Sequence, residues 1–165
     1  LPPNPALSLE HKRISRLIKQ DVDNAPAETQ LSKARVTRKG SDLTIIAYGF
    51  MLHESLGAAE TLAAEGIDCM VVDLLTLNPL DRETILESAK ATGKVLIVHE
   101  DTLTGGLGGE IAAIIAEHAF EYLDAPIRRL AGPDVPPMPY HHAMEDFFMP
   151  NRDKIAAAAR ELAAY

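Results

Sequence analysis

Three apolar runs establish the architecture: LTIIAY (43–48), CMVVDLL (69–75) and KVLIVHE (94–100). Each run is nearly continuous rather than alternating, which is typical of strands covered on both faces. Segments with helical spacing of apolar residues lie between the runs, so strands and helices alternate along the chain. This alternation predicts a parallel sheet with right-handed crossovers and helices on both faces.

The segments that flank the runs complete the prediction. ARVTRKG (34–40) alternates enough to be a half-exposed edge strand, and IRRLAG (127–132) is a further strand. Capping residues and glycines mark the helix ends. Helices are predicted over about 51–65, from Asp81 to Gly93, over about 109–122, and after Asn151. We therefore predict an α/β three-layer sandwich, with a mostly parallel sheet of about five strands and one antiparallel edge strand.

The composition is that of one acidic globular domain. The 165 residues are 47% hydrophobic and 24% charged, with a formal net charge of -8. Nucleic acids and anionic membranes need a basic surface, so neither is expected as a partner, and a basic protein fits better. Cys69 lies in an apolar run and has no second cysteine to pair with, so we expect a buried thiol in a reducing compartment.

The chain divides into a basic segment (1–19), a linker (20–32) and a domain (33–165). The first segment does not look self-sufficient, and the chain begins at Leu1 without a Met. We therefore expect a fragment or a processed product. Near the other end, the prolines of GPDVPPMPY (132–140) fix their own φ angles and predict a stiff, extended surface arm.

The glycine-rich stretch TGGLGGE (104–110) follows a predicted strand and opens a helix. Free backbone N–H groups at such a position could hold a phosphate. The match to a dinucleotide fingerprint is poor, because Ile111 stands where that pattern needs Gly or Ala. A tight turn with close helix packing is the favoured interpretation.

Three of the histidine positions are candidate sites: His53, His99 and the pair His141-His142. None has the His-Glu-x-x-His spacing of a zinc site, so no metal centre is predicted. His99 is the best functional candidate, because it emerges at the carboxyl end of a central strand. A hydrogen bond from its ring to a neighbour is the favoured interpretation. The chain also lacks a Gly-x-Ser-x-Gly elbow and a Walker loop, which argues against a self-contained hydrolase or nucleotidase.

Several motifs together resemble the β subunit of thiamine-diphosphate-dependent 2-oxo acid dehydrogenases, in its C-terminal half. They are LEHKRISR (9–16), KARVTRKGSDLTIIAYG (33–49), VVDLLTLNPLD (71–81), the stretch from HEDTLTGG to DVPPMPY (99–140), and MPNRDKI (149–155). The resemblance implies a transketolase C-terminal domain over 33–165, with 1–19 as the tail of a preceding pyrimidine-binding domain. HEDTLTGG and the terminal Tyr165 look more like the branched-chain type, whereas GPDVPPMPY is similar to the pyruvate type.

The resemblance also implies partners and cofactors. The intact enzyme would be a heterotetramer with an α subunit and a second β subunit, and it would use thiamine diphosphate and magnesium. This chain alone would hold neither group and would not be catalytic. Assembly would involve Gly108, Gly109, Ile111 and Ala112. Asp124 and the carboxylate of Tyr165 would bind the basic subunit-binding domain of the lipoyl acyltransferase, although Asp124 is equally suited to capping the turn before Pro126.

Two alternatives therefore stay open. The first is an assembly and docking domain of a dehydrogenase β subunit, in a bacterial cytoplasm or a mitochondrial matrix. The second is an independent α/β module that binds a small anionic ligand over Gly105–Gly109. Only the second predicts phosphate binding that is lost on Gly108→Val.

Overall fold

Strands and helices alternate along the chain in the predicted order. The computed structural model describes residues 9–17, 31–136 and 140–165. Its strands are β1 (Arg35–Arg38), β2 (Leu43–Ala47), β3 (Cys69–Asp73), β4 (Val95–Thr102) and β5 (Arg128–Gly132). Its helices are α1 (Ile14–Leu17), α2 (Phe50–Ala64), α3 (Arg82–Thr92), α4 (Leu107–Ala119), α5 (His142–Phe148) and α6 (Arg152–Ala163), with a 3-10 turn over Phe120–Tyr122.

The five strands form one sheet in the order β1-β3-β2-β4-β5. Only β1 is antiparallel to its neighbour; the other three pairings are parallel. The predicted sheet, including its antiparallel edge strand, is confirmed. The chain leaves β2 toward β3 on one side and later returns to β4 on the other side, so the strand order reverses at β2.

Helices cover both faces of the sheet and enclose two cores. On one face α2 and α6 pack over Ile45 and Leu96, together with the fully buried Ile155. On the other face α3 and α4 pack over Ile46 and Ile97. Neighbouring residues of one strand thus face opposite cores, which explains why the apolar runs are continuous.

The predicted helix ends are largely correct. The Asp81 carboxylate accepts a hydrogen bond from the Thr84 N–H at 3.2 Å, and the Asn151 side chain accepts one from the Lys154 N–H at 3.0 Å. Gly93 ends α3 in the left-handed region, at φ 66°. The helix predicted over 109–122 instead spans Leu107–Ala119, because the chain tightens into the 3-10 turn before Leu123. Helix α5 was not predicted.

Parts of three predicted segments lie outside the described residues. They are 1–8 and 18–19 of the basic segment, 20–30 of the linker, and 137–139 of the proline-rich arm. The division into 1–19, 20–32 and 33–165 therefore stays a prediction. Within the described ranges, no helix has both the length and the apolar character needed to cross a membrane.

Candidate functional site

Strands β2 and β4 are neighbours, yet the helices that follow them cover opposite faces of the sheet. Their carboxyl ends therefore diverge into loops on either side of a crevice, which is where open α/β sheets bind ligands. Ala47 pairs with Val98 in this register, so the next residues, Tyr48 and His99, lie side by side. Their rings stack nearly parallel, with centroids 6.2 Å apart and planes 6° apart.

His99 is fully buried, and neither ring nitrogen has a hydrogen-bond partner in the described part of the chain. By bond geometry the hydrogen bond favoured from the sequence is not formed among these residues, although the Asp101 backbone is near enough to the ring to raise the pKa of His99. The strand pleat turns His99 toward α4, on the same face as Ile97. Burial lowers the pKa of His99 below its usual value of 6.5; the charge of Arg129 lowers it further, and Asp101 opposes both effects. The imidazole is consequently held in its neutral form.

The glycines of TGGLGGE make room for this ring. A Cβ atom on Gly106 would lie 2.7 Å from His99 Cε1, and one on Gly108 would overlap Nε2. Both glycines are buried, whereas Gly105, at φ 79°, is exposed in the turn. Close helix packing, the interpretation favoured from the sequence, describes Gly106 and Gly108 well.

Glu100 points to the opposite side of β4 from His99 and faces an open groove of about 1010 Å³. Its Oε2 lies 3.0 Å from His11 Nε2. The His11 ring stacks on Phe50 at 5.7 Å, and the Arg13 guanidinium lies 4.5 Å from the centroid of the same Phe50 ring. Burial raises the pKa of Glu100, and His11 and Arg13 partly offset this rise. The basic N-terminal segment is thus anchored at the carboxyl end of the sheet.

Asp73, at the end of β3, lines the same groove. Its Oδ2 lies 3.2 Å from Arg35 Nη2, and burial raises its pKa more than Arg35 lowers it. Burial and the charges of Asp101 and Glu100 raise the pKa of Tyr48 to about 12. In the described part of the chain, no group of three or more His, Cys, Asp or Glu side chains could hold a metal ion.

The two residues predicted to bind the acyltransferase lie at the other end of the sheet, near the start of β4. The Asp124 N–H donates to the Gly93 carbonyl at 2.8 Å, and Lys94 Nζ donates to the Ala163 carbonyl at 2.9 Å. The turn that carries Asp124 and the end of α6, which precedes Tyr165, are thus both tied to the start of β4. Both side chains are exposed.

The Asp124 carboxylate lies against the Cα atom of Gly93, where a Cβ atom would overlap it. In the described part of the chain it forms no hydrogen bond and no ion pair. Among these residues, the Asp124 carboxylate therefore does not cap the turn before Pro126. Their arrangement leaves the carboxylate free for a contact outside the chain.

The residues predicted to form the subunit interface differ in their placement. Gly108 and Ile111 are buried in the chain's own core, where Ile111 is fully enclosed. Gly109 and Ala112 are partly exposed on α4. Only these two offer accessible surface, and the interface itself stays a prediction.

Among the other histidine candidates, His53 lies in α2 and lines the groove that Glu100 faces. His141 and His142 are exposed at the start of α5. Tyr48, His11 and Arg13 were not singled out from the sequence. The sequence places Tyr48 after a predicted strand, and His11 and Arg13 in a basic segment. Their contacts, however, depend on which strands are neighbours in the sheet.

Comparison with known proteins agrees with this geometry. Residues 32–155 match the family described as transketolase, C-terminal domain. The chain is 53% identical to the 2-oxoisovalerate dehydrogenase subunit beta of Bacillus subtilis (strain 168), over 98% of this chain and 50% of that protein. It is 39% identical to the pyruvate dehydrogenase E1 component subunit beta of the same organism, over 96% of this chain and 48% of that one.

A solved structure of a split gene transketolase, an inactive beta4 tetramer, superimposes with a TM-score of 0.73 at 30% identity. The matched region covers 88% of this chain and 46% of the chain in that structure. The chain spans about half the length of the curated relatives that it matches. The transketolase C-terminal domain expected from the motifs is confirmed, and the identity is higher to the 2-oxoisovalerate dehydrogenase subunit than to the pyruvate dehydrogenase subunit. The chain belongs to the transketolase C-terminal domain family.

Proposed function

We propose that this chain is the C-terminal part of the β subunit of a 2-oxo acid dehydrogenase that acts on branched-chain 2-oxo acids. The observation that carries the substrate class is the difference between 53% and 39% identity to two β subunits of one organism. In the proposed complex, this domain joins an α subunit and a second β subunit. The complete enzyme decarboxylates the 2-oxo acid and passes the acyl group to the lipoyl group of an acyltransferase.

The intact enzyme is proposed to use thiamine diphosphate and magnesium. The described residues of this chain do not fit that pair. They offer no metal-binding group of three or more acidic, histidine or cysteine side chains, and Gly106 and Gly108 at the start of α4 pack against His99. We therefore assign no step of cofactor chemistry to these residues. That the cofactor is held outside this chain remains an expectation.

The role proposed for this chain is docking of the basic subunit-binding domain of the acyltransferase. The docking surface consists of Asp124, Tyr165 and the adjoining start of β4. It is supported by the hydrogen bonds that tie Asp124 to Gly93 and the end of α6 to Lys94, and by a carboxylate without a partner among the described residues. An exposed carboxylate that meets a basic partner increases specificity and the rate of association. The chain's net charge of -8 favours the same kind of partner.

Asp124→Asn tests the docking proposal. We expect the dissociation constant for a lysine- and arginine-rich subunit-binding domain to rise about two- to tenfold, because an exposed ion pair contributes on the order of 1 kcal/mol. Calorimetry at low and high salt should show that salt weakens the wild-type complex more than the variant complex.

Asp153→Asn is the matched control, since Asp153 is an exposed aspartate in the first turn of α6, at the opposite end of that helix. This substitution should leave binding unchanged. If neither Asp124→Asn nor salt altered the affinity, the docking assignment would be wrong.

A further inference from the structure

An aromatic ring lies beside the docking surface. Tyr122 ends the 3-10 turn two residues before Asp124, and its side chain is 46% exposed. Its carbonyl oxygen would lie 3.2 Å from a Cβ atom on Gly93, the same position that the Asp124 carboxylate approaches. The backbone carbonyl of Tyr122 and the side-chain carboxylate of Asp124 therefore both lie close to Gly93, at the amino end of β4.

The Tyr122 ring already carries a cation within the chain. Lys90 Nζ, from the last turn of α3, lies 4.8 Å from the ring centroid. A positive charge over an aromatic face is attracted by the negative face of the ring. Lys90 is exposed and forms no hydrogen bond or ion pair with the described residues. Among the described residues, only the Tyr122 ring holds the Lys90 ammonium group in place.

A partner's arginine suits this position better than a lysine does. A guanidinium group is planar, stacks on aromatic faces and is less strongly hydrated than an ammonium group. Its N–H groups can also bind a carboxylate in a bidentate manner. The exposed Tyr122 ring and the Asp124 carboxylate, two residues apart in the chain, offer these two kinds of contact to arginine side chains.

We propose that the Tyr122 ring is a second recognition element for an arginine of the basic partner, and that Lys90 occupies this ring until the partner displaces it. The inference rests on the proposed docking function and adds the chemistry of the partner side chain. Because the partner must displace Lys90 from the ring, Lys90 weakens docking. Its charge is one of several on this surface.

The experiment measures, by calorimetry, binding of the acyltransferase's subunit-binding domain to the intact β subunit that contains this chain, assembled with its α subunit. Tyr122→Leu removes the ring, and we expect the dissociation constant to rise about two- to fivefold, as for an exposed cation–π contact. Tyr122→Phe retains the ring and should bind like the wild type. Phe120→Leu is the matched control, since Phe120 is an exposed aromatic residue of the same turn, and it should change nothing.

Lys90→Gln tests the displacement. We expect tighter binding, by about two- to fivefold, in the wild-type background and no change when Leu replaces Tyr122. Thermal unfolding of each variant verifies that the fold is retained. Weaker binding of Lys90→Gln, or equal binding of Tyr122→Leu and the wild type, would overturn the inference. The docking function itself would survive that result if Asp124→Asn still weakened binding, and it would fail if Asp124→Asn had no effect either.

Discussion

His99 is the residue whose environment departs most from what water would offer it. Buried polar groups normally have hydrogen-bond partners, and each exception needs a physical reason. Here the ring fills the space between Tyr48 and the first turn of α4, so it acts as a packing element. A neutral imidazole tolerates that role, whereas an imidazolium would be a buried charge without a partner among the described residues.

The protonation of His99 predicts a pH dependence of stability. The unfolded chain protonates this residue as the pH falls through about 6.5, whereas the folded chain, with a lowered pKa, keeps it neutral to a lower pH. The free energy of unfolding should therefore decrease as the pH falls below 6.5, until the folded pKa is reached. Above 6.5 both states are neutral, and His99 contributes no pH dependence.

Urea unfolding at pH 8 and pH 5.5 measures this effect. His99→Leu should reduce the difference in unfolding free energy between the two pH values, whatever its stability at pH 8. Glu100 has a raised pKa, so its contribution runs in the opposite direction and cancels in the comparison of variant with wild type. An unchanged pH dependence in His99→Leu would contradict the prediction.

At the scale of elements, α4 approaches β4 closely because two glycines face the His99 ring. Gly108→Ala introduces a Cβ atom that overlaps a buried, immobile side chain, so we expect a loss of about 1–3 kcal/mol in unfolding free energy. Gly109→Ala is the matched control. The nearest atom to its Cβ is Arg129 Nη1 at 3.6 Å, so stability should stay the same or rise by up to about 1 kcal/mol through better helix propensity.

Chemical denaturation of both variants provides the comparison. The two substitutions change the same residue type in the same helical turn, so a difference between them reports the contact with His99. Equal effects of the two would show that α4 shifts freely and that the close packing is unimportant. Introducing His99→Ala alongside Gly108→Ala should recover part of the lost stability, since the ring and the new methyl group then no longer compete for space.

At the scale of the whole molecule, the sheet separates two sets of charged residues. The N-terminal segment is anchored at the carboxyl end through His11 and Glu100, and the docking surface lies at the amino end with Asp124 and Tyr165. The length of β4 and the helices beside it hold the ends apart. A partner at the proposed docking surface therefore need not displace residues 9–17.

The substrate class is a property of the complete enzyme. We expect the intact β subunit that contains this chain, assembled with its α subunit, to have a higher kcat/KM for 2-oxoisovalerate than for pyruvate. Steady-state assays with both substrates measure this preference, and the 165-residue chain alone is expected to give no turnover. A preference for pyruvate would overturn the proposed substrate class and leave the docking proposal unaffected.

The hydrophobic pattern and the helix-capping residues of the sequence predicted the strands and helices. The runs around Ile45, Val71 and Ile97 predicted buried strands, and Asp81 and Asn151 predicted helix starts, because both signals are local in sequence. The combination of motifs also identified the family before any contact was known. The end of α4 was predicted less well, since the 3-10 turn after Ala119 continues a helical spacing without being an α-helix.

Contacts between elements were decided only by the tertiary structure. Periodicity places His99 on a strand and Gly108 on a helix, but it does not state which strands are neighbours or how closely a helix approaches them. The order β1-β3-β2-β4-β5 brings Tyr48 beside His99, and it places Asp124 and Tyr165 at one end of β4. The sequence alone determined which segments become strands and helices, because those preferences are local. The folded chain determined which side chains meet, because that depends on strand order and packing distance.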